Sequence, residues 1–258
     1  MKNAKEIKEF FDENGYYFAR GVFSPQAIRE MESEFDRIVS HNTARNDNSN
    51  RKWVGDNKDL LAARADSVIV HTHQLQSYSA RWLQAVLDPG FLDVVEAILG
   101  PDIILHHTKL LQKPAEKGAP FPMHQDWSYF PSVNNTMLGG SIHVTRATDD
   151  MGCLRVYPGS HRLGRTTGTN GQEASAFMEK NYPLSGAKVI EAEAGDVLFF
   201  HYFTVHGSMP NTSKNTRKNV LVQLHSGNDR IEGDNHHINS RLVLRGFNNI
   251  ATRSYVEA

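Results

Sequence analysis

The chain has 258 residues, of which 39% are hydrophobic and 22% are charged, and its formal net charge is −1. These values are typical of a globular protein, and without a basic surplus they argue against nucleic acid or an anionic membrane as the main partner. The single cysteine, Cys153, cannot form an internal disulfide, and no apolar run is long enough to span a bilayer. Residues 1–11 do not resemble a signal peptide. We therefore expect a cytoplasmic protein, either monomeric or a small homo-oligomer.

The first hundred residues have mainly helical patterns. Ile7, Phe10 and Phe11 share one helical stripe, and Asn14-Gly15 is a typical helix end. Ser24-Pro25 is a typical helix start. The elements expected here are a helix ending at residue 14, a strand at 16–22, a helix from residue 24, a polar loop at 41–57, and helices at 76–87 and 91–99.

After Gly100-Pro101 the pattern changes to short strands separated by Pro, Gly and Asn/Asp turns. Strands are expected at 103–111, 139–146, 153–157, 187–191, 197–202 and 218–225. A polar insert at 162–186 is expected near a pocket mouth. Helices followed by many antiparallel strands predict an α+β, mainly β fold. We expect one domain over residues 1–258, with helical support in about 1–100 and a double-sheet core in about 101–230.

A possible metal site begins at His124-Gln125-Asp126. If this segment is extended, His124 and Asp126 point to the same face. A second histidine from a distant strand, His206, would complete two imidazoles and one carboxylate. This ligand set leaves positions open on the metal and is typical of non-haem Fe(II) oxygenases. Because the chain has 13 histidines, about one His-x-Asp is expected by chance, so the triplet alone is weak evidence.

The residues behind His206 are more informative. Ser208 follows it by two positions and Arg217 by eleven. A buried arginine forms a planar, bidentate clamp for a carboxylate, and a neighbouring hydroxyl can share that carboxylate. A dicarboxylic keto acid needs such a pair at its distal end. Gln223 shares strand parity with Arg217, so we expect it to face inward, either as a polar contact for co-substrate or substrate or as a hydrogen-bonded core residue.

At this point the chain resembles the phytanoyl-CoA dioxygenase family of Fe(II)/2-oxoglutarate oxygenases. The resemblance spans nearly the whole chain. The matching stretches are His-Thr-Lys-Leu-Leu-Gln-Lys-Pro from His107, His-Gln-Asp-Trp-Ser-Tyr-Phe-Pro from His124, Gly-Cys-Leu-Arg-Val-Tyr-Pro-Gly-Ser-His from Gly152, and Gly-Asp-Val-Leu-Phe-Phe-His from Gly195, followed by His-Gly-Ser at His206.

The resemblance implies a double-stranded β-helix fold, that is, a cupin-like jelly roll. It implies that His124, Asp126 and His206 hold Fe(II), and that Arg217 and Ser208 hold the distal carboxylate of 2-oxoglutarate. Dioxygen is then consumed, succinate and carbon dioxide are released, and a small molecule is hydroxylated. Halogenases of this class replace the carboxylate ligand with a small residue, so the presence of Asp126 favours oxygenation.

Two departures from the family pattern suggest a substrate other than phytanoyl-CoA. Lys109 stands where the phytanoyl enzymes carry an apolar residue, so we expect it to contact co-substrate or substrate. Relatives often carry a large aromatic residue around Ser141, where this chain has Gly139-Gly140-Ser141. Lys109 and the loop arginines favour an anionic substrate. The candidate substrate contacts are His107, Trp127, Ser128 and Ser141.

Other histidines offer alternative interpretations. His71 and His73 form a rival metal pair, for which a surface or capping role is preferred. A structural role is favoured for His106 and His107. His201 is a rival third ligand, but only His206 has Ser and Arg at useful offsets.

The remaining pair, His236-His237, is interpreted as a solvated turn. At the level of function, the alternatives are a metal-dependent, cupin-like isomerase or binding protein that does not turn over 2-oxoglutarate, and an interaction protein with a vestigial site. A protein that holds only a metal has no need of a carboxylate clamp at Arg217 and Ser208.

Overall fold

The computed structural model describes residues 3–45, 51–53, 69–166, 177–178, 180–233 and 237–252, with the backbone alone for 51–53. Its helices are α1 Ala4–Asn14, α2 Pro25–Arg45, α3 Leu75–Tyr78, α4 Ala80–Val86 and α5 Pro89–Leu99. Its strands are β1 Tyr16–Ala19, β2 Arg51–Trp53, β3 Ile69–His73, β4 Ile103–Lys113, β5 Phe121–His124, β6 Leu138–His143, β7 Leu154–Val156, β8 Lys188–Ile190, β9 Val197–His201, β10 His206–Ser208, β11 Arg217–Ser226 and β12 Leu242–Arg245.

The strands form two antiparallel sheets. The major sheet has the order β1-β9-β6-β11-β4-β3-β2, and β12 pairs with the start of β4. The minor sheet has the order β5-β10-β7-β8. Neighbouring strands in both sheets come from distant parts of the chain, which is typical of a jelly roll. The predicted α+β, mainly β architecture with a double-sheet core is confirmed.

Successive side chains of β11 face opposite sides of the major sheet. One side packs against the helices and the other faces a cavity. Val220 and Val222 are fully buried in the main hydrophobic core, which also includes Phe35 of α2 and Trp82 of α4. Successive side chains of a strand point to opposite faces. Arg217, Asn219 and Gln223 therefore point away from the helices, toward the minor sheet. The helices cover one face of the major sheet and leave the other for a site.

The end of α1 is fixed by Gly15, as the sequence predicts. Gly15 has a left-handed conformation with φ 74°, and its amide donates to the carbonyl of Phe11 over 2.7 Å. A Cβ at this position would lie 2.3 Å from the ring of His161, so the close approach also requires glycine. This turn leads directly from α1 into β1.

Two predictions in the helical region were wrong. The loop expected at 41–57 is helical at its start, because His41–Arg45 continue α2; its Asn42 is buried and its Thr43 hydroxyl donates to Val39. Arg51–Trp53 is a strand, and residues 46–50 and 54–57 lie outside the described part. The helix expected at 76–87 is interrupted at Ser79, whose extended backbone and side chain cap the start of α4.

Strand β3 was not predicted from the sequence. Ile69–His73 pairs with β4, and His73 lies opposite Lys109 in that pairing. The surface or capping role preferred for His71 and His73 was therefore wrong, since both side chains line the cavity between the sheets. Strands from the first hundred residues are thus part of the major sheet. Among the described helices none is long and apolar enough to cross a membrane.

A pair of phenylalanine substitutions tests this architecture. Phe35 is 0% exposed beneath the major sheet, whereas Phe247 is 75% exposed. We expect Phe35→Ala to lower the free energy of unfolding by about 3–5 kcal/mol, because it leaves a cavity in the core. Phe247→Ala is expected to change it by less than about 0.5 kcal/mol. Urea denaturation followed by circular dichroism measures both, and equal effects would contradict the assignment of the core.

Candidate metal and co-substrate site

A cavity of about 630 Å³ lies between the two sheets. Its wall on the major sheet is built from alternate residues of β3, β4 and β11, as strand parity requires. Aromatic residues from the minor-sheet side and from β9 complete it. Residues lining the cavity that matter here are His71, His73, His107, Lys109, Lys113, His124, Asp126, Tyr129, Phe130, Ser141, Phe200, His206, Ser208, Arg217, Asn219, Gln223 and His237.

Three of the predicted site residues converge in this cavity. His124 ends β5 and lies opposite His206, which begins β10. Asp126 Oδ1 is 3.2 Å from His124 Nε2 and 3.7 Å from His206 Nε2. One ligand atom from each residue lies within 4.8 Å of the others. The predicted convergence is confirmed, although Asp126 reaches the site through a turn of 3-10 helix, Asp126–Ser128, and not through continued strand parity.

The orientation of these side chains suits a divalent metal ion. The Nδ1 atoms of His124 and His206 lie 2.9 Å from the carbonyls of Pro122 and Thr204. Each carbonyl can accept a hydrogen bond from Nδ1–H, which leaves the Nε2 lone pair directed at the site. Gln223 Nε2 donates to Asp126 Oδ2 over 2.8 Å and so fixes the carboxylate. Two imidazoles and one carboxylate with these outer partners fit iron with open positions.

The charge states of the triad also suit metal binding. Burial, together with the nearby His124, lowers the pKa of His206 to about 4 against the opposing effect of Asp126. His206 is therefore a neutral imidazole at neutral pH, which is the form that binds a metal. Burial raises the pKa of Asp126, but His206, His124 and Gln223 outweigh burial and bring that pKa below its ordinary value. Asp126 is therefore ionised.

A second group of residues forms a cationic end of the cavity. Arg217 lies opposite Lys113 in the pairing of β11 with β4, and both side chains are buried. Lys113 Nζ donates to Ser208 Oγ over 2.7 Å and to the carbonyl of Met209 over 2.6 Å. The predicted proximity of Ser208 and Arg217 therefore extends to a lysine that the sequence analysis did not single out.

The guanidinium of Arg217 is held but not neutralised. It donates to the carbonyl of Gly152 and, over 2.9 Å, to Asn219 Oδ1, while its Nε is buried without a hydrogen-bond partner. Burial lowers the pKa of Arg217 to about 10. Burial and the charge of Arg217 lower the pKa of Lys113 well below its ordinary value. In the described part of the chain neither residue has an ion-pair partner, so the pair fits an added carboxylate.

The remaining predicted contacts fall into two groups. Lys109, Ser141 and His107 line the cavity as expected, and Ser141 accepts a hydrogen bond from Asn219 over 2.9 Å. Gln223 faces inward, but its contact is the carboxylate of Asp126. The small residues near Ser141 make room for an aromatic ring from another strand, because a Cβ on Gly139 would lie 2.7 Å from the Phe200 ring.

Trp127 and Ser128, which were predicted to contact the substrate, are not among the residues that line this cavity. The 3-10 turn directs Trp127 Nε1 to Gln125 Oε1 over 2.9 Å, and Tyr129 and Phe130 line the cavity in their place.

The structure also shows the surroundings of His237, His201 and His106, for which the sequence left alternative roles. His237 is not a solvated turn residue, because its ring stacks on His107 at 4.9 Å between centroids, and His236 lies outside the described residues. His201 Nε2 lies 2.9 Å from the carbonyl of Asn135, apart from the triad. A structural role is retained by His106, which is buried beside His107.

Part of the predicted insert over the pocket mouth, residues 167–176 and 179, lies outside the described part of the chain. Of its described residues, Thr166 donates to Gln125 Oε1 over 2.8 Å, and Met178 and Leu184 pack with Met123 in a small apolar cluster.

Comparison with known proteins agrees with this geometry. The family model described as phytanoyl-CoA dioxygenase (PhyH) matches residues 11–219. The peroxisomal phytanoyl-CoA dioxygenase of Bos taurus is 27% identical over 233 residues, which cover 86% of this chain and 68% of the bovine protein. A probable alpha-ketoglutarate-dependent hypophosphite dioxygenase of Stutzerimonas stutzeri is 25% identical, covering 85% of this chain and 77% of that protein.

A solved structure shows the same fold. The epimerase SnoN, in complex with Fe3+, alpha ketoglutarate and nogalamycin RO, has a TM-score of 0.74 at 19% identity and covers 94% of this chain and 98% of its own. The family match extends over most of the chain and includes all three residues of the His124–Asp126–His206 triad and Arg217. The chain therefore belongs to the phytanoyl-CoA dioxygenase (PhyH) family of Fe(II)- and 2-oxoglutarate-dependent dioxygenases.

Proposed function

We propose that this chain hydroxylates a small anionic molecule, with Fe(II) held by His124, Asp126 and His206. The distal carboxylate of 2-oxoglutarate is bound by Arg217 together with Lys113 and Ser208. The observation that carries the proposal is the placement of two buried, unneutralised cations in the same cavity as a two-histidine, one-carboxylate triad.

The residues of the chain contribute mainly orientation and charge. The bound iron, with 2-oxoglutarate and dioxygen, supplies the oxidising chemistry, and succinate and carbon dioxide are released. His124 and His206 present their Nε2 atoms because their Nδ1 atoms face backbone carbonyls. Gln223 keeps the carboxylate of Asp126 from rotating. Arg217 and Lys113 bind the far end of the keto acid and so orient its keto-acid end toward the triad.

An anionic substrate is supported by Lys109. Its ammonium faces the cavity, and burial lowers its pKa, opposed by the nearby charge of Asp126. Within the described ranges Lys109 has no carboxylate within ion-pair distance, and binding an anion would offset the cost of its burial. A relative in the family carries hypophosphite, an anion, in its name. Lys109 lies two residues from His107 along β4, on the same face of the strand.

A metal-dependent isomerase or binding protein without 2-oxoglutarate is less well supported. Such a protein has no use for Arg217, Lys113 and Ser208 at one end of its metal cavity. Burying a lysine and an arginine next to each other destabilises a fold unless an anion joins them. The clamp therefore favours turnover of a dicarboxylic co-substrate.

The choice of His206 over His201 as the third ligand can be tested with matched substitutions. We expect His206→Ala to abolish Fe(II) retention, the weak visible band of the anaerobic complex with Fe(II) and 2-oxoglutarate, and succinate formation, because two ligands remain. His201→Ala should keep the band, since His201 contacts the carbonyl of Asn135 and not the triad. Loss of the band in His201→Ala with normal folding would overturn the assignment.

The role of Lys113 in binding 2-oxoglutarate can be tested with Lys218 as the control. Lys218 lies on the neighbouring strand β11, on the face of the sheet that the helices cover. We expect Lys113→Met to raise the Kd for 2-oxoglutarate at least about tenfold, equivalent to about 1.4 kcal/mol, because a charge-assisted hydrogen bond is lost. Lys218→Met should leave that Kd unchanged, because Lys218 pairs with Glu32 and Asp36 of α2. Anaerobic titration of the visible band measures both. An unchanged Kd in Lys113→Met would contradict the proposed clamp.

The anionic preference can be measured with pairs of small compounds that share a carbon skeleton and differ in one carboxylate or phosphonate group. We expect succinate formation to be stimulated by the anionic member of a pair. Lys109→Gln should lower kcat/KM for that member at least about tenfold while the Kd for 2-oxoglutarate stays constant. A raised Kd for 2-oxoglutarate would instead assign Lys109 to the co-substrate, the other role expected from the sequence.

A further inference from the structure

A second group of convergent histidines lines the same cavity, outside the iron triad. We name it the triple-histidine cluster, and it consists of His73, His107 and His237. One ring nitrogen from each lies within 4.8 Å of the other two, the same limit that the iron triad meets. The three residues come from β3, from β4 and from the segment before β12. Chain segments that are distant in sequence therefore bring three imidazoles together.

We propose that the triple-histidine cluster is a second divalent-metal site, of the three-imidazole type that binds Zn(II) and leaves one coordination position open. Three histidine ligands with a free fourth position are an established zinc arrangement. The wall of the same cavity includes all three residues, so the open position is accessible to a small molecule.

The ring separations suit a shared metal ion. With metal–nitrogen bonds of about 2.0–2.1 Å and tetrahedral angles, ligand nitrogens lie about 3.3 Å apart and ring centroids about 5 Å apart. The observed centroid separations are 4.9 Å for His107 and His237, 5.2 Å for His73 and His237, and 5.8 Å for His73 and His107. The rings of His107 and His237 are nearly parallel, at 7°, so the His237 ring has to rotate for both lone pairs to point at one ion.

The surroundings of His107 prepare it as a ligand. Its Nδ1 lies 2.7 Å from Nδ1 of His106, and the tautomer in which Nδ1 of His107 donates to His106 leaves Nε2 of His107 for a metal. Burial lowers the pKa of His107 well below its ordinary value, and the neighbouring His106 and His237 lower it further. A neutral imidazole binds a metal ion, whereas an anion would require the charged form.

The segment that carries His237 is held in place by hydrogen bonds. Gln74 Nε2 donates to the carbonyl of Ile238 over 2.8 Å. The amide of Ser240 donates to the carbonyl of His106 over 2.7 Å, and its hydroxyl donates to Leu105 over 2.6 Å. Because this segment is fixed to β4, His237 is positioned before any metal arrives, which reduces the entropy lost on binding.

The cluster is separate from the co-substrate clamp. At about 3.3 Å per residue, His107 lies about 20 Å along β4 from Lys113, and Lys109 lies between them on the same face. A metal at the cluster would place a second cationic centre beside Lys109, suited to the anionic group of a substrate. This last step rests on the proposed function, whereas metal binding to the cluster does not.

Metal stoichiometry tests the proposal. The full chain, stripped of metal with a chelator, is titrated with Zn(II) by calorimetry, and its metal content is measured after desalting. We expect two equivalents of bound Zn(II) for the natural chain, and one equivalent for each of the single variants His73→Gln and His237→Gln. The control His41→Gln removes an exposed histidine of α2 and should retain two equivalents. Co(II) in place of Zn(II) should give the intense visible spectrum of a four-coordinate ion in the cluster.

The iron triad provides the internal check. His73→Gln and His237→Gln should retain the anaerobic band with Fe(II) and 2-oxoglutarate, which shows that the fold and the first site are intact. His124→Ala should lose that band and keep the Zn(II) equivalent of the cluster. One equivalent in the natural chain, or a second equivalent that persists when both His73 and His237 are replaced, would overturn the proposal. If the natural chain binds two equivalents of Zn(II) but gives no band with Fe(II) and 2-oxoglutarate, the proposed function is contradicted and the metal site at the cluster is not.

Discussion

The site is organised around two positive charges that the fold buries side by side. Lys113 and Arg217 lie opposite each other in adjacent strands; burial lowers the pKa of both, and the charge of Arg217 lowers that of Lys113 further. The Ser208 hydroxyl and backbone carbonyls hold the two groups without neutralising them. Such an arrangement costs stability in the absence of a ligand and recovers it when a carboxylate joins both groups. This cost is the physical reason to assign that end of the cavity to a dicarboxylic co-substrate.

The register of β4 against β11 links that charge pair to the rest of the fold. Alternate residues of both strands pack beneath the helices, for example Leu110 and Val220, and the residues between them line the cavity. A shift of one residue would turn the charged residues into the apolar core and the apolar residues into the cavity. The helices and the apolar core they cover therefore maintain the register that the site requires.

The sequence was sufficient for the residues that lie in ordered motifs. His124, Asp126 and His206 were predicted because their flanking stretches are specific, and the offset of Arg217 indicated a carboxylate clamp. Lys113 was in a quoted motif but was overlooked, because its place opposite Arg217 depends on how β4 pairs with β11, and its bond to Ser208 depends on how the two sheets face each other; no local pattern specifies either. The position of His237 was also not predictable from a local pattern, because hydrogen bonds between its segment and β4 place it at the cavity.

Gln223 lies opposite a residue of the triple-histidine cluster and contacts the iron triad. It lies opposite His107 in the pairing of β11 with β4, and its amide nitrogen donates to Asp126. Its Oε1 is buried without a hydrogen-bond partner, so the position of this side chain is set by the carboxylate on one side and by packing on the other. Buried amides with one unmet acceptor are sensitive to small displacements. Gln223 therefore holds the carboxylate of Asp126 from a strand position directly opposite His107.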